Sequence, residues 1–128
     1  IRWFEEIYRN NTITVHGKGD TKIDFIDVRD VAKINIFFAN KKKLSNESYN
    51  VCNNKSISLI ELAKYIQKIV GVKKIKIIHT KERKVNKVKK RLGSNKKLKN
   101  LINHNKNIDI KKSLSDTYEF WKREKKLI

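Results

Sequence analysis

The sequence predicts an α/β protein in which short strands are combined with four to five helices. A β-branched run at Thr12–Val15 is typical of a strand, and the glycines of His16–Thr21 indicate a turn after it. Apolar and polar residues then alternate over Ile23–Val28, which predicts a second strand. Ser58 and Glu61 have the spacing of a capping box at the start of an apolar helical repeat. With 128 residues, the chain is long enough for one small domain and not for two.

The first predicted helix covers Ile1–Asn10. Its apolar residues recur at helical spacing, with charged residues on the opposite face, so we expect the aromatic side chains among them to pack in the core. These apolar residues are Trp3, Phe4, Ile7 and Tyr8.

The second helix is expected to begin at Asp30, which would act as its N-cap, and to run to about Asn40. The segment Glu47–Cys52 follows and is predicted to be a strand at the end of a larger parallel sheet. Its two apolar residues, Tyr49 and Val51, would lie on one face of that strand. The predicted core residues of the helix are Val31, Ile34, Phe37 and Phe38.

The capping box predicts a third helix over Leu59–Val70, which Gly71 would end. A strand at Lys74–Ile78, a short helix at Asn95–Ile102 and a final helix at Ile108–Lys125 complete the chain. The predicted core residues of the final helix are Ile110, Leu114, Thr117, Tyr118 and Trp121.

The charge of the chain is strongly positive, with 32 Lys and Arg residues against 13 acidic ones and a net charge of +19. Such a balance raises nucleic acid or a membrane surface as a partner. However, Lys, Asn and Ile are used throughout the sequence, as expected of an AT-rich coding sequence. We therefore attribute most of the charge to genome composition and expect neither nucleic acid nor membrane as the partner.

The remaining composition gives three expectations. Cys52 is the single cysteine, so the chain has no intrachain disulfide and no cysteine metal cluster. No apolar run approaches the length of a membrane span and no signal peptide is visible, which favours a reducing, cytoplasmic location. The sequence contains no Met and begins at Ile1, so we expect it to be a piece of a longer protein or a trimmed form of one.

Two segments carry a resemblance to a known family. TITVHGKGDTKIDFIDVRDVA resembles the (I/T)xVxGxGxxxRDFIxVxDVAxA segment of the extended short-chain dehydrogenase/reductases, and SYNVCNNKSISLIELAKYIQKIVG resembles their xYNVGxGxxxSxxELAxxIxxxxG segment. This family contains the NAD-dependent nucleotide-sugar epimerases and dehydratases. The resemblance implies that residues 1–128 form a single C-terminal substrate-binding region of an extended Rossmann-type enzyme. It also implies that the N-terminal NAD-binding part is absent from this chain.

The resemblance further implies a reaction for the parent enzyme, such as that of a UDP-glucose 4-epimerase. Bound NAD takes a hydride from sugar C4 with a Tyr as base, and the keto sugar is then reduced again or dehydrated. The family's glycine-rich phosphate loop and its Tyr-x-x-x-Lys helix with an upstream Ser or Thr are not visible here, so we expect no catalytic residue and no activity from this chain alone. The parent would bind a nucleotide-diphosphate sugar and form a homodimer.

The resemblance implies substrate-binding residues at three places. The backbone of Thr14, Val15 and His16 corresponds to the strand that meets the nucleotide base. Arg83 corresponds to an Arg near the diphosphate, and Asn86 stands where the family has a carboxylate near the ribose. The third place departs from the family, because Ile23 replaces the Arg of RDF and removes a bidentate phosphate donor. Lys22 beside it would face the other way on a strand.

Other chemistry-bearing patterns have simpler explanations. Tyr118 and Lys122 match Tyr-x-x-x-Lys, but they lie in the terminal helix, where we expect a structural role. His16, His79 and His104 are far apart in the sequence and without metal-ligand spacing. The residues Asp24, Asp27 and Asp30 suggest a metal cluster, although a loop role for Asp24 and a cap role for Asp30 are favoured. Arg83 is equally compatible with a solvated cation.

Two other functions compete with a nucleotide-sugar enzyme. A basic nucleic-acid-binding module would place aromatic residues among its cations, whereas the aromatic residues here have apolar helical positions. A degenerate, non-catalytic remnant of the family would keep the fold and lose the site, and Ile23 and Asn86 favour it.

Overall fold

The structure is a computed structural model that describes residues 1–41, 46–82, 88–102 and 107–126. Within these ranges the chain forms five helices and five strands, which confirms the predicted α/β class. The helices are α1 (Arg2–Asn10), α2 (Val28–Ala39), α3 (Leu59–Val70), α4 (Lys96–Leu101) and α5 (Ile110–Glu124). The strands are β1 (Thr12–His16), β2 (Lys22–Asp24), β3 (Ser56–Ser58), β4 (Lys76–Thr80) and β5 (Lys90–Arg91).

The core is built around the parallel pair of β1 and β4. Ile13 lies opposite Ile77 and Val15 opposite His79 in this pair. The side chains of Ile13 and Val15 are almost completely buried, because β1 alternates between a core face and an outer face. The core cluster takes further buried residues from α1, α3 and α5, namely Phe4, Ile7, Leu62, Ala63, Ile66 and Trp121.

Helix α1 ends as predicted, at the Asn10–Asn11 pair. Asn11 adopts the left-handed conformation with φ of 51°, which Asn tolerates better than most residues, and its amide donates to the Ile7 carbonyl. Phe4 and Ile7 are buried as expected, but Tyr8 is exposed. The reversal of the chain at Asn11 lets β1 begin immediately and pack against the helix that precedes it.

A second, three-stranded sheet has the order β3–β2–β5. β2 is antiparallel to β3 and parallel to β5, with Ile23 between Ile57 and Arg91. The predicted strand Ile23–Val28 is therefore only partly right, because β2 ends at Asp24 and a helix begins at Val28. The short strands β3 and β5 gave no periodic pattern in the sequence.

The prediction that Asp30 caps α2 is wrong, because Asp27 is the N-cap and its carboxylate accepts from the Arg29 amide. Asp30 lies in the first turn and is fully buried. One of its carboxylate oxygens accepts from the Ile108 amide at 2.7 Å, and the other lies 3.6 Å from the ammonium of Lys33. Asp30 therefore connects α2 to the segment that leads into α5.

The predicted strand Glu47–Cys52 is also wrong, because no part of it is paired with another strand in the described residues. Side chains bind its carbonyls instead. The amide of Asn95 donates to the Cys52 carbonyl at 2.8 Å, and the ammonium of Lys97 donates to the Ser48 carbonyl at 3.1 Å. The segment packs through its apolar side chains on a second cluster, which contains Ile34, Leu98 and Ile102.

Helix α3 confirms the capping-box prediction. The Ser58 hydroxyl accepts from the Glu61 amide at 3.1 Å, and the Glu61 carboxylate accepts from the Ser58 amide at 2.8 Å. These amide bonds lower the pKa of Glu61. Gly71 ends the helix with φ of 77°, as predicted.

Helix α5 contributes Trp121, Leu114 and Tyr118 to the main core, as predicted. Thr117 is exposed, contrary to expectation, and its hydroxyl donates to the Ser113 carbonyl one turn earlier. The Ser113 hydroxyl donates to the Asp27 carboxylate, and the Arg29 guanidinium donates to the Asp116 carboxylate at 2.7 Å. The start of α2 is thus connected to α5 through side chains.

We predict that Asp27→Asn makes stability less sensitive to acid. The Arg29 guanidinium holds the pKa of Asp27 well below its ordinary value, with help from the Ser113 hydroxyl and the Arg29 amide. A lowered folded-state pKa contributes stability above the unfolded value of about 3.9, and this contribution is lost as the pH falls. The side chain of Asn can still accept the capping hydrogen bond from the Arg29 amide, but it does not titrate.

Urea unfolding between about pH 6 and about pH 2 measures the effect. The variant should be less stable than wild type near neutral pH and should lose less stability on acidification. Glu124→Gln removes an exposed carboxylate at the end of α5 and is the matched control. If the stability of Asp27→Asn fell with pH as steeply as that of the wild type, the assignment of this acid sensitivity to Asp27 would be wrong.

We also predict that Gly19→Ala destabilises the chain more than Gly71→Ala. Both glycines have a positive φ, of 76° and 77°, so an added Cβ strains each backbone by about 1–2 kcal/mol. A Cβ at Gly19 would also lie 2.7 Å from Ile60 and 3.0 Å from Val15, whereas a Cβ at Gly71 would meet nothing within 4 Å. The clash should cost about 1–3 kcal/mol more in thermal or urea unfolding. Equal losses would mean that the turn can move away from α3.

Candidate functional site

The carboxyl ends of β1 and β4 meet at the glycine turn that follows His16. The amide of Gly17 donates to the Thr80 carbonyl at 2.9 Å, and Nδ1 of His79 donates to the Gly17 carbonyl at 2.8 Å. In α/β folds, ligands bind beyond the carboxyl ends of parallel strands. This edge is therefore the first place to look for a site, and it contains the predicted strand residues.

The predicted strand residues do not all face the same way. The Asn11 carbonyl and the Gly17 amide both bond to β4, so by alternation the backbone groups of Val15 also point to β4. The side chain of Val15 is in the core. The backbone groups of Thr14 and His16 therefore face the open edge of β1, where a base would lie.

Two side chains of α1 occupy this open edge at Thr14. The Thr14 amide donates to the Glu6 carboxylate at 2.6 Å, and the indole of Trp3 donates to the Thr14 carbonyl at 2.9 Å. Burial raises the pKa of Glu6, but bonds from Thr14 and Arg2 outweigh that effect and lower it overall. A base that contacts the Thr14 backbone would have to displace these partners, whereas His16 lies at the end of the strand.

His16 is half-buried and its ring is oriented by β4. Its Nδ1 lies 2.7 Å from the hydroxyl of Thr80, its register partner on the neighbouring strand. This contact holds the imidazole over the paired ends of β1 and β4. The ring is therefore positioned before any ligand arrives.

Arg83 and Asn86 lie in residues 83–87, outside the described part of the chain. The described residues on either side are close together, because Lys89 forms an ion pair with Glu82 at 2.6 Å. A Cβ built on Gly17 would lie 3.5 Å from the Cβ of Glu82. Glu82, the last described residue before that segment, therefore lies beside the glycine turn.

Ile23 stands in the middle of the small sheet, where the resemblance leads one to expect an Arg. Lys22 points to the opposite face, as predicted, because consecutive strand residues alternate. Lys22 pairs with Lys90, and Ile23 pairs with Arg91. Lys90 and Arg91 form a two-residue strand, which is too short to give a periodic pattern in the sequence. Only the register shows that they adjoin β2.

A cavity of about 390 Å³ lies away from this edge. It lies between the small sheet, α3 and the segment before α5, and of the predicted site residues that the structure describes, Thr14, Val15 and His16, none lines it. We give more weight to the strand ends, because their geometry matches the usual position of ligand sites in α/β folds. The cavity is lined in part by Phe25, Ile57, Tyr65 and Ile108.

The remaining candidate residues have structural partners. Tyr118 packs with Phe4 and Trp121 in an aromatic cluster, and the ammonium of Lys122 lies 5.1 Å from the centre of its ring. Asp24 accepts bonds from the backbone amides of residues 53, 54 and 93. In residues 1–41, 46–82, 88–102 and 107–126, no group of three potential ligand side chains could hold a metal ion.

The described residues do not fit a dinucleotide such as NAD. A dinucleotide loop delivers the pyrophosphate to the N-terminus of the helix that follows it. The Gly17–Gly19 turn leads into β2 instead.

Burial raises the pKa of the Cys52 thiol, which does not favour a nucleophilic thiolate. None of the helices in the described ranges is both long and apolar enough to cross a membrane.

Comparison with solved structures shows the fold. The chain superposes on UDP-N-acetylglucosamine 4-epimerase from Methanobrevibacter ruminantium M1 with a TM-score of 0.82, 22% identity and coverage of 95% of this chain and 38% of that one. UDP-glucose 4-epimerase from Thermotoga maritima gives a TM-score of 0.82, 23% identity and coverage of 96% and 38%. UDP-glucuronic acid 4-epimerase from Bacillus cereus gives a TM-score of 0.85, 18% identity and coverage of 96% and 39%.

The chain thus spans about two fifths of the length of the solved structures that it matches. No curated protein matches its sequence significantly. Residues 1–52, which contain β1, the glycine turn and α2, match the family model described as the NAD dependent epimerase/dehydratase family. The match to the family model therefore covers the first 52 residues, and the solved structures show that the chain as a whole shares their fold.

Proposed function

We propose that this chain is the nucleotide-sugar-binding part of an NAD-dependent epimerase or dehydratase that acts at sugar C4, in the manner of UDP-glucose 4-epimerase. The observation that carries the proposal is the juxtaposition of the β1 and β4 carboxyl ends at the glycine turn. This turn lies within the stretch that matches the family model. The three enzymes compared above, each named as a 4-epimerase of a UDP-sugar, share the fold.

The proposed contacts follow from the direction of each group. The base would lie along the open edge of β1, against the backbone of Thr14 and His16, while Val15 holds the strand in the core. Arg83 would bind the diphosphate, and Asn86 would bind a ribose hydroxyl through its amide. Glu6 and Trp3 already bond to the backbone of Thr14, so a base that binds at Thr14 would displace them.

The hydride chemistry would belong to residues outside this chain. NAD would supply the hydride acceptor at sugar C4, and a Rossmann part outside these 128 residues would bind it. The role of the present residues is to hold the nucleotide and so fix the position of the sugar. We expect no turnover from this chain alone, a homodimer for the parent enzyme and a cytoplasmic location.

A second candidate is a non-catalytic relative that keeps the fold and has lost the site. Two observations favour it: Ile23 stands where the family has an Arg, and side chains of α1 occupy both backbone groups of Thr14. The two functions differ in one measurable property, which is specific affinity for a nucleoside diphosphate.

We predict that the 128-residue chain binds UDP or dTDP and that His16→Pro weakens this binding. Proline removes the amide donor at the open edge of β1. Isothermal titration calorimetry with UDP, dTDP, ADP and the corresponding nucleosides measures both affinity and base preference. Circular dichroism before each titration checks that the variant is folded.

Thr12→Pro is the matched control, because Thr12 lies on the same edge of β1 but at its opposite end. The variant His16→Ala separates the ring from the backbone contact and should retain base preference. Absence of UDP and dTDP binding by the folded wild-type chain would reject nucleotide binding and favour the non-catalytic relative. Binding of all nucleotides with equal affinity and a steep salt dependence would instead indicate non-specific attraction to a basic surface.

A further inference from the structure

The cavity between the small sheet, α3 and the segment before α5 takes no part in the proposed function. Its volume of about 390 Å³ lies in the range of small-molecule sites, which are concave, largely apolar and supplied with a few polar groups. The cavity is therefore large enough for a small organic molecule. Its apolar walls are two aromatic residues and three isoleucines, namely Phe25, Tyr65, Ile57, Ile108 and Ile110.

Carboxylates behind the cavity hold two of its walls in place. The Ile108 amide donates at 2.7 Å to the carboxylate of Asp30, which is fully buried. On the other side, the Asn53 amide donates to the Asp24 carboxylate at 3.1 Å. The side chain of Asn107 joins the two walls, because it donates to the Asn53 side chain at 3.0 Å. Walls that are fixed before a ligand arrives lower the entropic cost of binding it.

Two positive charges in the lining have no carboxylate partner. Lys55 and Lys99 line the cavity, and neither takes part in an ion pair within residues 1–41, 46–82, 88–102 and 107–126. Lys97, on the same helix as Lys99, pairs with Glu47 at 3.0 Å instead. Both lining lysines are exposed. An anionic group could therefore bind them with a small cost of desolvation.

Asp109 brings a negative charge to the lining, but its carboxylate already has a structural role. As the N-cap of α5, it accepts from the Lys111 amide at 2.9 Å. The ammonium of Lys111 lies 5.2 Å from the centre of the Tyr65 ring, so a third cation borders the cavity. The charge around the cavity is therefore positive overall, and it favours an anion over a neutral or cationic ligand.

We propose that this cavity is a second binding site, separate from the nucleotide site, and that it takes a small aromatic carboxylic acid. The aromatic ring would lie against Phe25 and Tyr65, since aromatic rings attract one another in offset-stacked and edge-to-face arrangements. The carboxylate would bind the ammonium groups of Lys55 and Lys99 through charge-assisted hydrogen bonds. The inference does not depend on the proposed function, because it uses none of the residues assigned to the nucleotide.

The test uses the full 128-residue chain and three probes. 2-Naphthoate carries both the ring and the carboxylate, 2-naphthamide is its neutral isostere, and acetate carries the carboxylate alone. In isothermal titration calorimetry, 2-naphthoate should bind about three- to tenfold more tightly than 2-naphthamide, as expected for two exposed ion pairs. Acetate should give no measurable binding at the same concentrations, and excess UDP should not displace 2-naphthoate. Two-dimensional NMR should place the amides shifted by 2-naphthoate in the walls of the cavity.

The variant Lys55→Gln with Lys99→Gln removes both charges without filling the cavity. It should lower the affinity for 2-naphthoate about three- to tenfold and leave that for 2-naphthamide unchanged. Lys74→Gln with Lys96→Gln is the matched control, because these two exposed lysines do not line the cavity. Tyr65→Leu removes an aromatic wall and should weaken the binding of both naphthyl probes. Circular dichroism and thermal unfolding verify that each variant is folded.

The outcomes separate a built site from general attraction to a basic chain. A preference for 2-naphthoate that is lost only with Lys55 and Lys99, together with NMR shifts in the cavity walls, supports the proposal. Equal losses in the two double variants would indicate non-specific attraction to a chain of net charge +19 and would overturn it. Equal affinity for both naphthyl probes, NMR shifts confined to other regions, or no binding of 2-naphthoate would overturn it too. Each of these results leaves the proposed function intact, since nucleotide binding is measured separately with UDP and dTDP.

Discussion

The parallel pairing of β1 with β4 is the interaction on which the rest of the structure depends. It joins segments 64 residues apart in the sequence, with Ile13 opposite Ile77 and His16 opposite Thr80. The inner face of β1 gives the core its most completely buried apolar side chains. The same pairing brings two carboxyl ends together beside the glycine turn. A single contact between distant segments therefore builds the core and defines the edge where we place the ligand.

Three aspartates connect the smaller elements to this centre. Asp24 binds the backbone amides of residues 53, 54 and 93, Asp27 binds Ser113, and Asp30 binds the amide of Ile108. In a chain of net charge +19, these carboxylates bind backbone amides and a hydroxyl as well as cations. Backbone amides need acceptors where the chain is irregular and buried. This requirement accounts for the Asp-rich stretch without a metal ion.

The proposed contact with the nucleotide base lies at the open edge of β1. The backbone groups of Thr14 and His16 face the open edge of β1, because those of Asn11 and Gly17 bond to β4. Backbone recognition tolerates substitution, since the contact does not depend on the side chain, so β1 can carry His16 and still present the same edge. In the small sheet, register and not sequence proximity determines which side chains adjoin, and Arg91 lies opposite Ile23.

The sequence by itself determined the features that depend on neighbouring residues. The capping box at Ser58 and Glu61, the helix end at Gly71, the helix end at Asn11 and the strand at Thr12 were all predicted, because each follows from local backbone chemistry. The family resemblance was visible in the same stretches. The tertiary structure alone decided where carbonyls and carboxylates find partners. The carbonyls of Ser48 and Cys52 accept hydrogen bonds from the side chains of Lys97 and Asn95, and residues 47–52 are not assigned to a strand. The buried carboxylate of Asp30 accepts from the Ile108 amide, and the N-cap of α2 is Asp27. The two-residue strand β5 pairs with β2, and two residues are too few to give a periodic pattern in the sequence. Such features depend on contacts between residues far apart in the chain, and no local pattern encodes them.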